Sequence, residues 1–347
     1  MKALVTGATG VVGRYLLMHL LERSDWDVVA VSRRKPDVPG KYVHIGADLT
    51  DPADCRTKFR GLRDITHAFY AAYLERPDPQ EHVAVNAGML VNLVDALEAA
   101  SPALAHVHLV EGSKWYGSHL GPYKTPAKET DPRHMPPNFY YNQQDFLEVR
   151  QQGKRWTWSA SRPHAICGFA VGNPMNLSTV IAVYAAVSKE LGLPLSFPGK
   201  PGAYRALYQC TDSALLAKAL VRMATEAKCA NQAFNITNGD LIRWENLWPR
   251  LARFFDMDVA PPRHISLTRF MADKGKVWDR IVEKHGLKPY PFEQIAAWPF
   301  GDFVFGSDYD IISDMGKARR YGFCESVDTE EMFLRLFAQF RAERVIP

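Results

Sequence analysis

The chain is 347 residues long, 47% hydrophobic and 23% charged, with a net charge of +4. That length buries one large core or two modest ones, and the apolar share excludes a disordered chain. The slight basic excess suits an anionic cofactor as well as nucleic acid, and with no Lys/Arg-rich run a nucleic-acid partner is not expected.

The five cysteines, Cys55, Cys167, Cys210, Cys229 and Cys324, are scattered, and no two have C-x-x-C spacing. They suggest neither a zinc site nor a disulfide framework and fit a reducing, intracellular setting. The opening "MKALVTGATG" enters a strand pattern at once, so no signal peptide is expected. No apolar run approaches the roughly 18 residues of a membrane helix. A soluble cytoplasmic protein without a metal is the expectation.

In chain order, "KALVTGA" reads as a buried strand and "GRYLLMHLLER" as a helix with apolar residues at helical spacing. "WDVVAVSRR" is a second strand, and "THAFYAAYL" contains another. The long helix "VAVNAGMLVNLVDALEAA" precedes the strand "AHVHLVEG". Residues 118–139 break into Pro, Gly and charge, and so long a loop is usually a lid or a pocket wall. Helix resumes in "QQDFLEVRQQG", then the strand "TWSASRPHAICG".

This alternation predicts an α/β fold, a Rossmann-type doubly wound parallel sheet covered on both faces. Residues 1–173 form mainly the nucleotide-binding domain. Residues 174–347 form mainly a smaller, interleaved substrate lobe, with returns to the sheet near 203–240.

"VTGATGVVGRYLL" sets Gly7, Gly10 and Gly13 between a strand and a helix. Gly7 permits a tight turn, Gly10 lets backbone approach a pyrophosphate, and Gly13 allows close strand–helix packing. With Thr9, Val11 and Val12, the loop offers the free N–H groups and positive dipole end of a helix N-terminus. The spacing is similar to that of the short-chain dehydrogenase/reductase branch. The second strand ends in Ser32, Arg33 and Arg34 instead of the acid that holds the ribose 2′-hydroxyl of NAD. Two guanidiniums suit a 2′-phosphate, so NADPH is expected; two surface arginines ending a strand is the plainer alternative. "GADLTD" supplies Asp48 and Leu49 for an adenine site, or an ordinary polar turn. "FYAAY", with Ala71, fits a strand end passing the cofactor ribose, or core.

Short-chain reductases commonly pair a tyrosine with a lysine four residues on, which lowers the phenol pKa from about 10. In "NFYYNQQDFL" the residues four beyond Tyr140 and Tyr141 are Gln144 and Asp145. A conventional carbonyl reductase or epimerase is therefore disfavoured. A lysine does occur upstream, Lys114 in "EGSKWYG", directly after the strand "HVHLV". Taken alone, Lys114 reads as a surface lysine and Tyr140 as a buried aromatic.

Together, "TGATGVVG", "VSRR", "ADLTD", "GSKWYG", "NFYYNQQD", "SRPHAICGF" and "SDMGKARRYGF" resemble the progesterone 5β-reductase/iridoid synthase-like (PRISE) family. The resemblance spans nearly the whole chain. It implies reduction of the C=C bond of enones with NADPH, with Tyr140 as the catalytic tyrosine and Lys114 as the lysine. Extended short-chain reductases carry a hydroxyl where this chain has Gly112. Pro163 and Ile166, after Arg162, match the segment whose backbone meets the nicotinamide amide. Tyr123 matches a pocket aromatic that is usually phenylalanine, and Tyr116 and Tyr204 are expected in the same pocket. Gln144 replaces the glutamate of the family's NFYYxxED pattern.

In conjugate reduction, negative charge develops on the carbonyl oxygen, and the need is a donor aimed at it. Tyr140 would supply it and Lys114 would add positive field. His164 reads as structural, Cys167 as packing. The Met, Phe and Trp residues between Met175 and Trp298 line a pocket or fill a core. Rival readings are a carbonyl reductase or alcohol dehydrogenase of the same class, and a non-catalytic NADP(H) sensor. Homodimerisation is an expectation by analogy.

Overall fold

The computed structural model describes residues 1–173 and 175–347; residue 174, where the expected domain boundary falls, lies outside the described residues. Seven parallel strands form the central sheet: β1 (Lys2–Thr6), β2 (Asp27–Val31), β3 (Val43–Ile45), β4 (His67–Tyr70), β5 (His106–Val110), β6 (Thr157–Arg162) and β7 (Gln232–Asn235). Their order, β7-β6-β5-β4-β1-β2-β3, reverses direction beside β1. A Rossmann sheet opens a crevice there, outside the carboxyl ends of its strands. β1, β4 and β5 are buried almost throughout, as expected of strands covered on both faces.

Helices α1 (Val11–Leu21) and α2 (Pro52–Phe59) flank the first half of the sheet. Helix α3 (Pro79–Ala100) begins four residues before the apolar run that announces it, because Asp78 caps it by accepting the Glu81 N–H at 2.7 Å and Pro79 opens its first turn. At 22 residues, with an 18-residue window of mean hydropathy 1.4, it is long and apolar enough to cross a membrane, contrary to the expectation that no segment is. Here Leu90, Leu93, Val94 and Leu97 bury that face against the sheet instead. Helix α4 (Phe139–Arg150) follows the irregular 118–138 segment and starts earlier than "QQDFL" suggests, so Tyr140 sits in its first turn.

The second half interleaves with the first. Helix α5 (Leu177–Glu190) is buried over most of its length in a core of its own. Helix α6 (Ser213–Thr225) returns to pack with α1 over the sheet, and β7 completes it. The remaining lobe gathers α7 (Trp244–Phe254), α8 (Gly275–His285), α9 (Trp298–Gly306) and α10 (Thr329–Ala342) around α5. Trp244, Trp248 and Trp278 are fully buried there, so these tryptophans are core.

Candidate active site

One cleft of about 390 Å³ runs along the carboxyl ends of the strands, within the range of small-molecule sites. At one end lie Gly7, Thr9, Gly10, Val11 and Val12 of the first loop. Gly7 has φ +63°, and a Cβ there would sit 2.4 Å from the Ala71 carbonyl oxygen. Gly10 donates its N–H to the Gly7 carbonyl at 2.8 Å and precedes α1 without a side-chain cap, so the first N–H groups of that helix are free for an anion. Gly13 is not on the cleft wall: its Cβ would meet the Gly7 carbonyl oxygen at 2.3 Å, so its part is in letting α1 close on the loop.

Ser32, Arg33 and Arg34 also line the cleft. The Ser32 hydroxyl donates to the Arg34 carbonyl at 2.6 Å, which holds the turn. Both arginines are exposed, and neither forms an ion pair among the described residues. Asp48 and Leu49 stand opposite. Hydrogen bonds from the Thr50 hydroxyl and N–H hold the Asp48 carboxyl below its ordinary range. Ala71, Pro163 and Ile166 also line the cleft. The backbone cradle, the uncapped helix start and the two free guanidiniums fit a phosphorylated dinucleotide.

At the other end β5 runs into a short helical turn, Ser113–Tyr116, that carries Lys114. Asn138 ties this turn to α4. Its side-chain oxygen accepts the Tyr140 N–H at 3.1 Å, and its amide donates to the Lys114 carbonyl at 2.9 Å. One residue thus fixes the chain at both Lys114 and Tyr140. Sequence reasoning passed over it, although an asparagine directly before a helix is a capping signal.

The two adjacent tyrosines diverge. Tyr141 turns away from the cleft, donating to the Trp115 carbonyl at 2.6 Å and accepting the His134 N–H at 2.8 Å. Tyr140 faces the cleft with its ring 4.4 Å from that of Phe139. A Cβ on Gly112 would lie 3.1 Å from the Tyr140 hydroxyl, so that glycine makes room for it. Burial, reinforced by the Glu111 and Glu75 charges, pushes the Tyr140 pKa well above its ordinary value. The phenol therefore stays protonated, a donor rather than a base. Burial lowers the pKa of Lys114, with Glu75 opposing, and its ammonium stands 5.9 Å from the Phe303 ring centre. Among the described residues neither side chain makes a hydrogen bond.

Behind this wall Arg162 is 1% exposed and pairs with buried Glu111 at 2.8 Å. Its guanidinium also lies 3.6 Å from the Trp115 ring centre, donates to the Gln144 side-chain oxygen at 3.0 Å and to the Tyr116 hydroxyl at 3.2 Å. Burial pushes the Glu111 carboxyl up to about 7, with Arg162 pulling the other way. Gln144, the departure from the family pattern, is thus a neutral acceptor for a buried cation.

Three expected pocket residues lie elsewhere. Tyr116 points into the Arg162 network and donates to Asn235 at 2.7 Å. Tyr123 packs beside Trp115, Tyr116 and Tyr141, and Tyr204 meets Phe197 at a tilt, ring centres 5.0 Å apart; neither lines the cleft. The walls at that end are Met175, Tyr208, Phe300 and Phe303 from the second lobe, with Ser113, Ser118 and His164 from the first. Phe300 and Phe303 belong to α9, just past the aromatic stretch the sequence marks, and only α9's packing against α5 brings them here.

A model of the PRISE-like Rossmann-fold domain matches residues 43–347. The chain belongs to the PRISE family. This PRISE member is 34% identical over 364 residues to (S)-8-oxocitronellyl enol synthase of Nepeta racemosa, across 99% of this chain and 93% of that protein. It is 32% identical over 370 residues to 3-oxo-Δ(4,5)-steroid 5β-reductase of Arabidopsis thaliana, with the same two coverages. Among solved structures it is similar to UDP-glucose 4-epimerase of Thermus thermophilus in complex with NAD, at TM-score 0.69 over 98% of this chain and 99% of that one. Identity there is 19%, so that likeness speaks for the fold alone. With reductases and dehydrogenases among its relatives, this PRISE protein is an oxidoreductase.

Proposed function

We propose that this PRISE protein reduces the C=C bond of enones or enals with NADPH, with Tyr140 and Lys114 as its catalytic residues. The observation that carries this reading is Tyr140: its hydroxyl faces the cleft, is held protonated by burial and by Glu111, and has no protein partner among the described residues. A neutral phenol cannot accept a proton, but it can donate to an oxygen that becomes negative. Such charge arises when hydride reaches the β-carbon and the carbonyl oxygen becomes an enolate. Lys114, on the same wall, adds positive field at that oxygen. Phe300, Phe303 and Met175 hold the apolar body of the substrate and keep water out, which strengthens both interactions. The α-carbon takes its proton from water afterwards, once the enolate is released from the cleft.

Bound at the glycine loop, NADPH supplies the hydride. Gly7, Gly10 and the start of α1 would hold its pyrophosphate, Arg33 and Arg34 its 2′-phosphate, and the Pro163–Ile166 backbone its carboxamide. The names of the two enzyme relatives agree with an enone-like substrate.

The test is to mix protein, NADPH and cyclohexenone, follow NADPH loss and identify the product. A saturated ketone, formed much faster with NADPH than with NADH, is expected. An allylic alcohol would place hydride on the carbonyl carbon and end this reading. Replacing Arg33 and Arg34 together by Ala should weaken NADPH binding about a hundredfold or more, since charge-assisted contacts are each worth about 1.5–3 kcal/mol. NADH binding should change little.

A further inference from the structure

Ser113, immediately before Lys114, belongs to a hydrogen-bonded chain on the cleft wall that the mechanism so far leaves idle. Its oxygen lies 2.5 Å from Nδ1 of His164 and accepts the Ser118 hydroxyl at 3.2 Å. Ser113, Ser118 and His164 are 4%, 1% and 7% exposed, and all three line the cleft. His164 is locked in place. Its N–H donates to the Thr211 hydroxyl oxygen at 3.1 Å, and its carbonyl accepts that hydroxyl at 2.7 Å. The next residue, Ala165, is held at φ +39°, and the imidazole meets Tyr208 edge-on at 4.9 Å. The other ring nitrogen, Nε2, is buried with no partner among the described residues.

A count of hydrogens decides which way Ser113 points. Burial pulls the His164 pKa down to about 3, so the ring is neutral and carries one N–H. If that hydrogen sat on Nε2, a buried donor would stand without an acceptor, at a cost of about 1–3 kcal/mol. With it on Nδ1, the ring donates to Ser113, and the orphan is an acceptor, which proteins tolerate better. The Ser113 oxygen then accepts twice, from His164 and from Ser118, and both its lone pairs are used. Its own hydrogen has no protein acceptor among the described residues, and the cleft is where one can be found. The adjacent Gly112 is the residue against which the Tyr140 hydroxyl rests.

We propose that Ser113 is a second donor to the substrate carbonyl oxygen, beside Tyr140, and that His164 is the positioning residue that turns the Ser113 hydrogen toward it. Two hydroxyls would then meet the two lone pairs of one oxygen, and both bonds would tighten as that oxygen becomes an enolate. The proposal rests on the enone reading.

Steady-state reduction of cyclohexenone by the full chain tests it, with NADPH affinity measured separately by the fluorescence of the bound nucleotide. Ser113→Ala should lower kcat roughly tenfold to hundredfold and leave NADPH affinity unchanged. Ser113→Thr, which keeps the hydroxyl, should recover most of the rate. His164→Leu should resemble Ser113→Ala, while His164→Asn, which keeps a hydrogen-bonding group near the Nδ1 position, should fall between. A Ser113→Ala protein within twofold of wild-type kcat would overturn the proposal while leaving the enone reading in place. An equal loss of NADPH affinity would mark Ser113 as packing and overturn it too. A wild-type protein that reduces no enone would overturn both ideas together.

Discussion

At the nucleotide end of the cleft main chain meets main chain: Gly7 against Ala71, Gly13 against Gly7, and the uncapped start of α1 open to an anion. At the proposed reacting end the lining atoms belong to side chains drawn from distant segments, Lys114 after β5, Tyr140 on α4, and Phe300 and Phe303 on α9. The first construction tolerates change in most side chains and little in its glycines. The second stands or falls with single side chains and with what lies behind them. Substitutions can break this contrast or sharpen it.

The largest effect is expected behind the reacting end. Arg162→Leu strands Glu111 inside the wall, and removing one partner of a buried pair costs about 3–5 kcal/mol. Urea unfolding should show that loss; a change under about 1 kcal/mol would mean the network is not the support described. Next comes Tyr140→Phe, which should lower kcat about a hundredfold, or roughly 3 kcal/mol of transition-state stabilisation. NADPH binding should survive, because the nucleotide end does not use that hydroxyl. Equal turnover would remove Tyr140 from the mechanism.

At the nucleotide end, Gly13→Ala places a Cβ 2.3 Å from the Gly7 carbonyl oxygen and 2.9 Å from the Ala8 Cα. Backbone cannot step aside cheaply, so about 1–3 kcal/mol of stability and much of the NADPH affinity should go. Thermal melts with and without nucleotide would measure both.

Acid should act on a third place, the sheet itself. His106 and His108 of β5 form a buried chain with Thr157, Ser159 and Ser161 at 2.7–2.9 Å, and His67 of β4 lies beside it. Burial lowers the pKa of His67 to about 4 and of His108 to about 3. Below an unfolded value of about 6.5, the unfolded chain takes up protons that the folded one refuses. Stability is therefore full above about pH 6.5 and falls with pH down toward pH 4. Urea midpoints between pH 7 and 5 test this, and a flat profile would contradict it. The smallest effect is expected from Asn138→Ala, about 1 kcal/mol for the lost helix cap. Its sharper signature is a kcat that falls more than stability does, because Asn138 holds the backbone of both Lys114 and Tyr140.

Much of the first half was legible because local chemistry enforces it. Glycine spacing, the short apolar runs and the arginines after β2 each declare themselves within a few residues. Lys114 and Tyr140 were singled out from a motif, and the structure brings both onto one cleft wall. The expected pocket tyrosines were not there. Tyr116 is drawn inward by Arg162 and Asn235, partners 46 and 119 residues away in the chain. Nothing near Tyr116 in sequence announces either. His164 reads as a structural histidine from its neighbours, and its contact with Ser113 spans 51 residues. The membrane-length apolar character of α3 was missed because Asn86, Asn92, Asp95 and Glu98 interrupt its run, while its 18-residue average stays apolar.

The sequence by itself determined the alternation of strand and helix, the glycine loop and the two guanidiniums on the same cleft, because periodicity and glycine act over distances shorter than one element. The tertiary structure alone decided that Tyr141 turns away to Trp115 and His134 and that Gln144 serves a buried cation. It also decided that α9 supplies the apolar wall. Those outcomes depend on which surfaces the sheet and the second lobe bring together, and burial there, not local propensity, sets where a hydroxyl points and whether it keeps its proton.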